Sequence, residues 1–104
     1  MKRIAFKLKL RPGRLAEYTR RHDEIWPEMA SLIRASGLSD FRIWHDPDTD
    51  FLFCSQLRED DARADLIRSE ALWRRWQADM AEFLVTGPDG LPQRWPLNQV
   101  FHLP

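Results

Sequence analysis

The segment Tyr18–Met29 reads YTRRHDEIWPEM and lies within a helical pattern that runs from about Arg14 to Ser36. Residues three or four positions apart share one face of a helix, and here that face carries Tyr18, His22, Ile25, Met29, Leu32 and Ile33. A tyrosine and a histidine therefore lie one turn apart on the side expected to be buried. Pro27 lacks an N–H, and its ring crowds the carbonyl four residues earlier, so the sequence predicts that the helix kinks or restarts there.

The position of His22 has two interpretations. Buried polar groups are normally hydrogen-bonded within the protein, which would make His22 a partnered histidine of the core. Alternatively, Tyr18 and His22 reach the same ligand in a small polar pocket. Histidine titrates near neutral pH and would give or take a proton there.

The composition excludes several classes of protein. The chain has 104 residues and a formal net charge of zero, which fits one domain with a modest core. Nucleic acids and anionic membranes require a basic face, so neither is expected as a partner.

The first residues alternate and are not a continuous apolar run, so neither a signal peptide nor a membrane span is expected. The single cysteine, Cys54, cannot form an internal disulfide and indicates a structural thiol in a reducing cytoplasm.

Hydrophobic periodicity along the chain predicts an α+β fold. The expected strands are Lys2–Leu10, Leu38–His45, Phe51–Leu57 and Asn98–Leu103, and the expected helices are the segment 14–36 ending at Gly37, a short helix from Glu59 to Arg68, and one from a Ser69 cap to about Leu84. The third strand is apolar on both faces, which places it centrally in the sheet. This order of elements is typical of the ferredoxin-like split βαβ arrangement.

The predicted sheet has one face covered by helices and one open face. The open face mixes polar and apolar groups and includes Arg3, Ala5, Lys7, Lys9, Arg42 and Trp44. An open sheet with such a face is often covered by a second copy of the same chain, so we expect a homodimer.

The sequence contains none of the common motifs for phosphate, metal or nucleophilic chemistry. Its glycines form no phosphate loop, no spacing fits a zinc site, and no serine lies in a nucleophile elbow. The turn Asp46–Asp50 has alternating aspartates, but Phe51 and Leu57 stand where a calcium loop needs a glycine and an acid. We therefore expect no metal and no cofactor. The remaining residues suit proton transfer on a small neutral ligand.

The sequence resembles the L-rhamnose mutarotase family almost from end to end. The resemblance is carried by Glu17-Tyr18, Arg20-Arg21-His22, Ile25-Trp26-Pro27-Glu28, Arg75-Trp76, Met80, Val100-Phe101 and Leu103-Pro104. It implies a dimeric α+β barrel that acts without a cofactor on the anomeric carbon of a deoxyhexose.

The same resemblance implies roles for particular residues. By position, His22 is the proton donor, and Tyr18 and Trp76 contact the sugar. Phe41 stands where the family has a sugar-binding tyrosine, and Gln77 stands where it has a second tryptophan. These two differences leave the identity of the sugar open between L-rhamnose and another 6-deoxy sugar such as L-fucose.

Two other classes of function remain open. One is a cofactor-free monooxygenase on the same dimeric fold, which would consume oxygen and act on a flat aromatic substrate. The other is a non-catalytic binding module, in which His22 only holds a ligand.

Overall fold

The computed structural model describes all residues, Met1–Pro104. The strands are β1 (Lys2–Lys9), β2 (Leu38–His45), β3 (Phe51–Arg58) and β4 (Trp95–Leu97). The helices are α1 (Leu15–Asp23), α2 (Pro27–Ala35), α3 (Asp61–Asp65) and α4 (Ala71–Met80), with a 3₁₀ turn at Leu66–Ser69. No helix is both long and apolar enough to cross a membrane.

The four strands form one antiparallel sheet in the order β2-β3-β1-β4. The two central strands, β1 and β3, pair without interruption from Lys2↔Arg58 to Lys9↔Phe51. Side chains alternate between the two faces of a strand, so β1 turns Phe6 and Leu8 to the helices, where both are buried. The α+β class, the ferredoxin-like order and the central place of the third strand are confirmed.

Pro27 divides the predicted long helix into two helices. α1 ends at Asp23, and Pro27 is the first residue of α2, a position at which no N–H is needed for a helical hydrogen bond. Between them, the N–H of Ile25 donates to the carbonyl of His22 at 3.2 Å. The predicted restart is therefore confirmed. It also turns the Trp26 ring inward, where it packs against the core.

A bulge in β2 changes which side chains face the helices. The pairing with β3 shifts between Ser39 and Arg42, and Asp40 has a φ of 46°. The extra residue reverses the alternation, so Leu38, Phe41 and Ile43 all lie on the helix side. On the other side, the Asp40 carboxylate accepts hydrogen bonds from both Arg3 and Arg42, and these bonds lower its pKa.

The predicted last strand, Asn98–Leu103, is wrong. The strand is instead Trp95–Leu97, which pairs with Ala5–Lys7 of β1. It is an edge strand, and an edge tolerates Pro96, which has no N–H to donate. Beyond Leu97 the chain has no regular structure, and Val100 is 95% exposed. The apolar residues that suggested a strand have no core to pack against within one chain.

The predicted cap of the last helix is also wrong. α4 begins at Ala71, one residue after its N-cap Glu70, and ends at Met80. The hydroxyl of Ser69 donates to the carbonyl of Leu66 at 2.7 Å, and it therefore closes the preceding 3₁₀ turn. The segment 81–84 continues as a turn that brings Phe83 and Leu84 into the core.

Candidate active site

A cavity of about 420 Å³ lies between the helices and the sheet. Small-molecule sites typically occupy about 300–1,000 Å³ and are mostly apolar with a few polar groups, and this cavity fits that description. All five residues singled out by sequence line it, namely Tyr18, His22, Phe41, Trp76 and Gln77. The fold therefore brings together side chains from α1, β2 and α4.

Tyr18 contributes a buried ring and a free hydroxyl. The residue is only 4% exposed, and its ring centroid lies 4.3 Å from that of His22. The hydroxyl makes no hydrogen bond within the protein. Burial raises the pKa of Tyr18, so the phenol keeps its proton at neutral pH. It is therefore able to donate a hydrogen bond.

His22 is held in a defined tautomer by the helix on which it lies. Its Nδ1 is 3.0 Å from the carbonyl oxygen of Tyr18, one turn earlier. A carbonyl can only accept, so Nδ1 carries the proton and Nε2 keeps a lone pair. Nε2 makes no hydrogen bond within the protein. One ring nitrogen of His22 is thus bonded within the core, as the first interpretation requires, and the other is free in a residue that lines the cavity.

Burial also sets the charge of His22. Desolvation disfavours the imidazolium and lowers the pKa of His22 from its ordinary value of 6.5, against the opposing effect of the hydrogen bond to Tyr18. The ring is consequently neutral at neutral pH. A neutral imidazole with a free Nε2 is able to accept a proton from a hydroxyl group.

Trp76 is fixed by aromatic packing on two sides. Its ring meets the His22 ring edge-on at a centroid distance of 5.5 Å and the Trp26 ring at 5.0 Å. Such T-shaped pairs contribute about 0.5–1.5 kcal/mol each beyond the burial of area. Trp26 is thus a supporting residue of the site that the helical pattern alone did not identify, because its inward position depends on the break before Pro27.

Phe41 lines the cavity from the sheet, and Gln77 lines it from α4. Phe41 follows the bulge in β2, is 42% exposed, and meets the Phe6 ring edge-on at 6.4 Å. Gln77 follows Trp76 on α4, and its carboxamide makes no hydrogen bond within the protein. The sheet therefore contributes an apolar ring to the cavity, and α4 contributes an amide that can both donate and accept.

The cavity also contains arginines that sequence reasoning missed, Arg58, Arg68 and Arg94. Arg94 immediately precedes β4, and the incorrect placement of the last strand left it in a segment expected to be irregular. Its half-buried guanidinium lies 3.8 Å from the Phe6 ring centroid. Burial lowers the pKa of Arg94 to about 10, so it remains a cation at neutral pH.

The other titratable groups considered in the sequence lie outside this chemistry. Burial raises the pKa of Cys54 to about 12, so this thiol stays protonated and is a structural residue. His45 lies near the end of β2 with Nε2 3.1 Å from Oδ1 of Asp50, and His102 is exposed in the C-terminal segment. Of the three histidines, only His22 lines the cavity.

Comparisons with known proteins indicate one family. A family model described as L-rhamnose mutarotase matches residues 3–103. An L-rhamnose mutarotase of Burkholderia orbicola (strain MC0-3) is 47% identical over 103 residues, which are 99% of each chain. One from Jannaschia sp. (strain CCS1) is 44% identical over the full length of both chains.

A solved structure shows the same relationship. The crystal structure of an L-rhamnose mutarotase from Formosa agariphila matches with a TM-score of 0.89 and 33% sequence identity, covering 100% of both chains. The chain therefore belongs to the L-rhamnose mutarotase family, isomerases whose known reaction is the interconversion of sugar anomers.

Proposed function

We propose that this protein interconverts the α and β pyranose anomers of a 6-deoxyhexose, L-rhamnose or a relative such as L-fucose, without a cofactor. The observation that carries the proposal is the unpartnered Nε2 of neutral His22 in a cavity that also holds the free Tyr18 hydroxyl. Relatives that are 44–47% identical over almost the whole chain bear the name L-rhamnose mutarotase, which supports the choice of sugar class.

The reaction requires two proton movements and one bond rotation. Ring opening removes the proton of the anomeric hydroxyl, forms the C1=O1 double bond and breaks the C1–O5 bond, while O5 gains a proton from a second donor. Rotation about C1–C2 then presents the other face of the aldehyde, and the reverse steps close the ring. In our proposal Nε2 of His22 accepts the O1 proton during opening and returns it to O1 during closure, so His22 is the proton donor of the second half-reaction. A positioned acid–base group accelerates such steps by roughly 10²–10⁴.

The remaining side chains bind the sugar in this proposal. Tyr18 donates a hydrogen bond to the ring form or to the open-chain aldehyde. Trp76, held by its two aromatic neighbours, covers the apolar C–H face of the ring and its methyl group. Phe41 gives apolar contact only, and the Gln77 amide bonds a hydroxyl group. These last two residues determine which 6-deoxy sugar is preferred.

We also propose that the protein is a homodimer closed through the open face of the sheet. That face leaves Trp44 51% exposed and Leu97 37% exposed. The C-terminal segment adds Val100, Phe101 and Leu103, all largely exposed. Covering apolar surface contributes roughly 25 cal/mol per Å², and a second copy would cover both regions together. Light scattering at micromolar concentration should give about twice 12.4 kDa, and a monomer there would contradict the dimer. We further propose that the protein is located in the cytoplasm, because its single cysteine, Cys54, is a free thiol, as is usual in a reducing compartment.

Anomer exchange measured by NMR tests the activity. Saturating the H1 signal of one anomer should diminish that of the other faster with the protein than in buffer alone, for at least one 6-deoxyhexose. A binding module would shift or broaden the sugar signals without added exchange. A monooxygenase would leave exchange unchanged and would consume oxygen with an aromatic substrate. Absence of accelerated exchange for every sugar tested would contradict the proposed function.

A further inference from the structure

The sheet contributes one buried carboxamide to the cavity, that of Gln56 on β3. Gln56 is only 3% exposed, and it is one of the residues that line the cavity. The polar contacts to the sugar proposed above come from the helices, because Tyr18 and His22 lie on α1 and Gln77 lies on α4. From the sheet, those contacts include only the apolar ring of Phe41. A sugar hydroxyl that points towards the sheet needs a polar partner as well.

The bulge in β2 places Gln56 opposite Phe41. On the two sides of the bulge, β2 pairs with β3 at Ser39↔Leu57 and at Arg42↔Ser55. Two residues of β2 lie between these pairs, one of which is Phe41, and both oppose the single residue Gln56. Phe41 and Gln56 both line the cavity, and opposed side chains on one face of a sheet are near neighbours. A ligand that touches the Phe41 ring is therefore adjacent to the Gln56 amide.

Arg58 fixes the orientation of this amide. A guanidinium has only donors, so the group of Gln56 that faces Arg58 is its oxygen. That oxygen accepts from Nη2 of Arg58 at 3.2 Å and from Nε at 3.3 Å. Arg58 is held in turn by two carboxylates, since its Nη1 lies 3.5 Å from Oδ1 of Asp65 and 3.6 Å from Oδ1 of Asp61. The amide consequently cannot turn over without losing both bonds.

The NH₂ group of Gln56 remains available in this orientation. Both hydrogen bonds of the oriented amide go to its oxygen, which leaves the two N–H donors of the side chain without a protein partner. Buried polar groups are normally hydrogen-bonded, and leaving a donor unpaired is unfavourable. Because Gln56 lines the cavity, a ligand bound there is able to accept from this group.

We propose that the NH₂ group of Gln56 donates a hydrogen bond to a ring hydroxyl of the sugar, at C2, C3 or C4. The inference rests on the proposed mutarotase activity and adds a specificity-determining residue to it. A neutral amide suits a neutral sugar, and Phe41, directly across the strand pair, offers no hydrogen-bonding group of its own. A donor held in one orientation selects sugars that carry the bonded hydroxyl in the matching configuration.

Sugar analogues combined with Gln56→Met test the contact. Methionine keeps roughly the length and bulk of the side chain but has no N–H to donate. The parent sugar is L-rhamnose or L-fucose, whichever is exchanged faster, and three analogues each lack the hydroxyl at C2, C3 or C4. We expect Gln56→Met to lower kcat/KM for the parent and for two analogues by about 2- to 10-fold. For the analogue without the bonded hydroxyl, kcat/KM should be the same in variant and wild type.

A purely structural role of Gln56 gives a different result. If the amide only holds Arg58 in place, Gln56→Met lowers kcat/KM equally for all four sugars, and the inference is overturned. Equal kcat/KM values for variant and wild type with every sugar overturn it too. Gln93→Met is the matched control and should behave as the wild type, because Gln93 is a partly buried glutamine outside the cavity lining.

The side-chain amide signals of Gln56 test the contact in the unaltered protein, so the test stands even if Gln56→Met does not fold. A mutarotase leaves its sugar at the anomeric equilibrium, so proton–nitrogen NMR observes the bound state without loss of substrate. The parent sugar should shift the Gln56 NH₂ signals, at least one of the three analogues should shift them clearly less at equal occupancy, and the Gln93 signals should stay in place. Unchanged Gln56 signals at saturating sugar, or equal shifts with all four sugars, overturn the inference.

Failure of the inference is distinguishable from failure of the proposed activity. If the wild type accelerates anomer exchange but Gln56→Met does not discriminate among the four sugars, the contact is wrong and the mutarotase activity stands. If exchange is accelerated for no sugar, the activity is contradicted, and the Gln56 amide signals recorded with L-rhamnose, L-fucose and their analogues decide the contact by themselves.

Discussion

Replacing Tyr18 with phenylalanine should separate the contribution of its ring to the core from that of its hydroxyl to sugar binding. The ring is buried against His22, and Tyr18→Phe keeps it. The hydroxyl has no partner within the protein, so its removal breaks no internal hydrogen bond. The bond that fixes the His22 tautomer goes to the backbone carbonyl of residue 18 and is also kept. We therefore expect the free energy of unfolding to change by less than about 1 kcal/mol.

The same substitution should impair catalysis. A hydrogen bond to the sugar contributes about 0.5–1.5 kcal/mol, which corresponds to a loss of about 2- to 10-fold in kcat/KM. Urea unfolding and NMR anomer exchange measure the two effects on one sample. A clear loss of stability would mean that the hydroxyl has a structural partner, and an unchanged kcat/KM would mean that it does not touch the sugar. Either result would refute the reasoning.

Two further predictions concern pH and specificity. Because burial holds the pKa of His22 below 6.5, the exchange rate should be level near neutrality and should fall on acidification only below that value, as the imidazole gains a proton and can no longer accept one. A pH–rate profile with its acid limb centred above 6.5 would contradict this. Phe41→Tyr adds a hydroxyl and Gln77→Trp adds an indole, and each should shift the ratio of kcat/KM values towards L-rhamnose by about 2- to 10-fold. A strong wild-type preference for L-rhamnose that neither variant changes would contradict this role.

The helices and strands that carry long periodic patterns could be predicted from the sequence. Alternation in β1 and β3 and the three- to four-residue spacing of α1 and α2 reflect burial of one face, which is a local property of the chain. The last strand could not be located in this way. Val100, Phe101 and Leu103 look like a strand because they are apolar, but only a pairing partner makes a strand, and β1 pairs with Trp95–Leu97 instead.

The candidate site could be predicted as far as it depends on one helix or on the family resemblance. Tyr18 and His22 follow from their spacing, and Phe41, Trp76 and Gln77 follow from the resemblance. The bulge at Asp40 sets the direction of Phe41, and no periodic pattern reveals it in advance. Arg94 was missed because its place in the cavity depends on strand pairing between distant segments.

Anomer exchange by His22→Asn is the most direct test of the central claim, that Nε2 of His22 carries the proton. Asparagine keeps a hydrogen-bonding group but does not titrate, so the exchange rate should fall by roughly 10²–10⁴ while sugar binding and the native fold are largely retained. His45→Asn and His102→Asn, both outside the cavity, should exchange anomers at the wild-type rate. If His22→Asn exchanges them at close to the wild-type rate, another group moves the proton and the claim is contradicted.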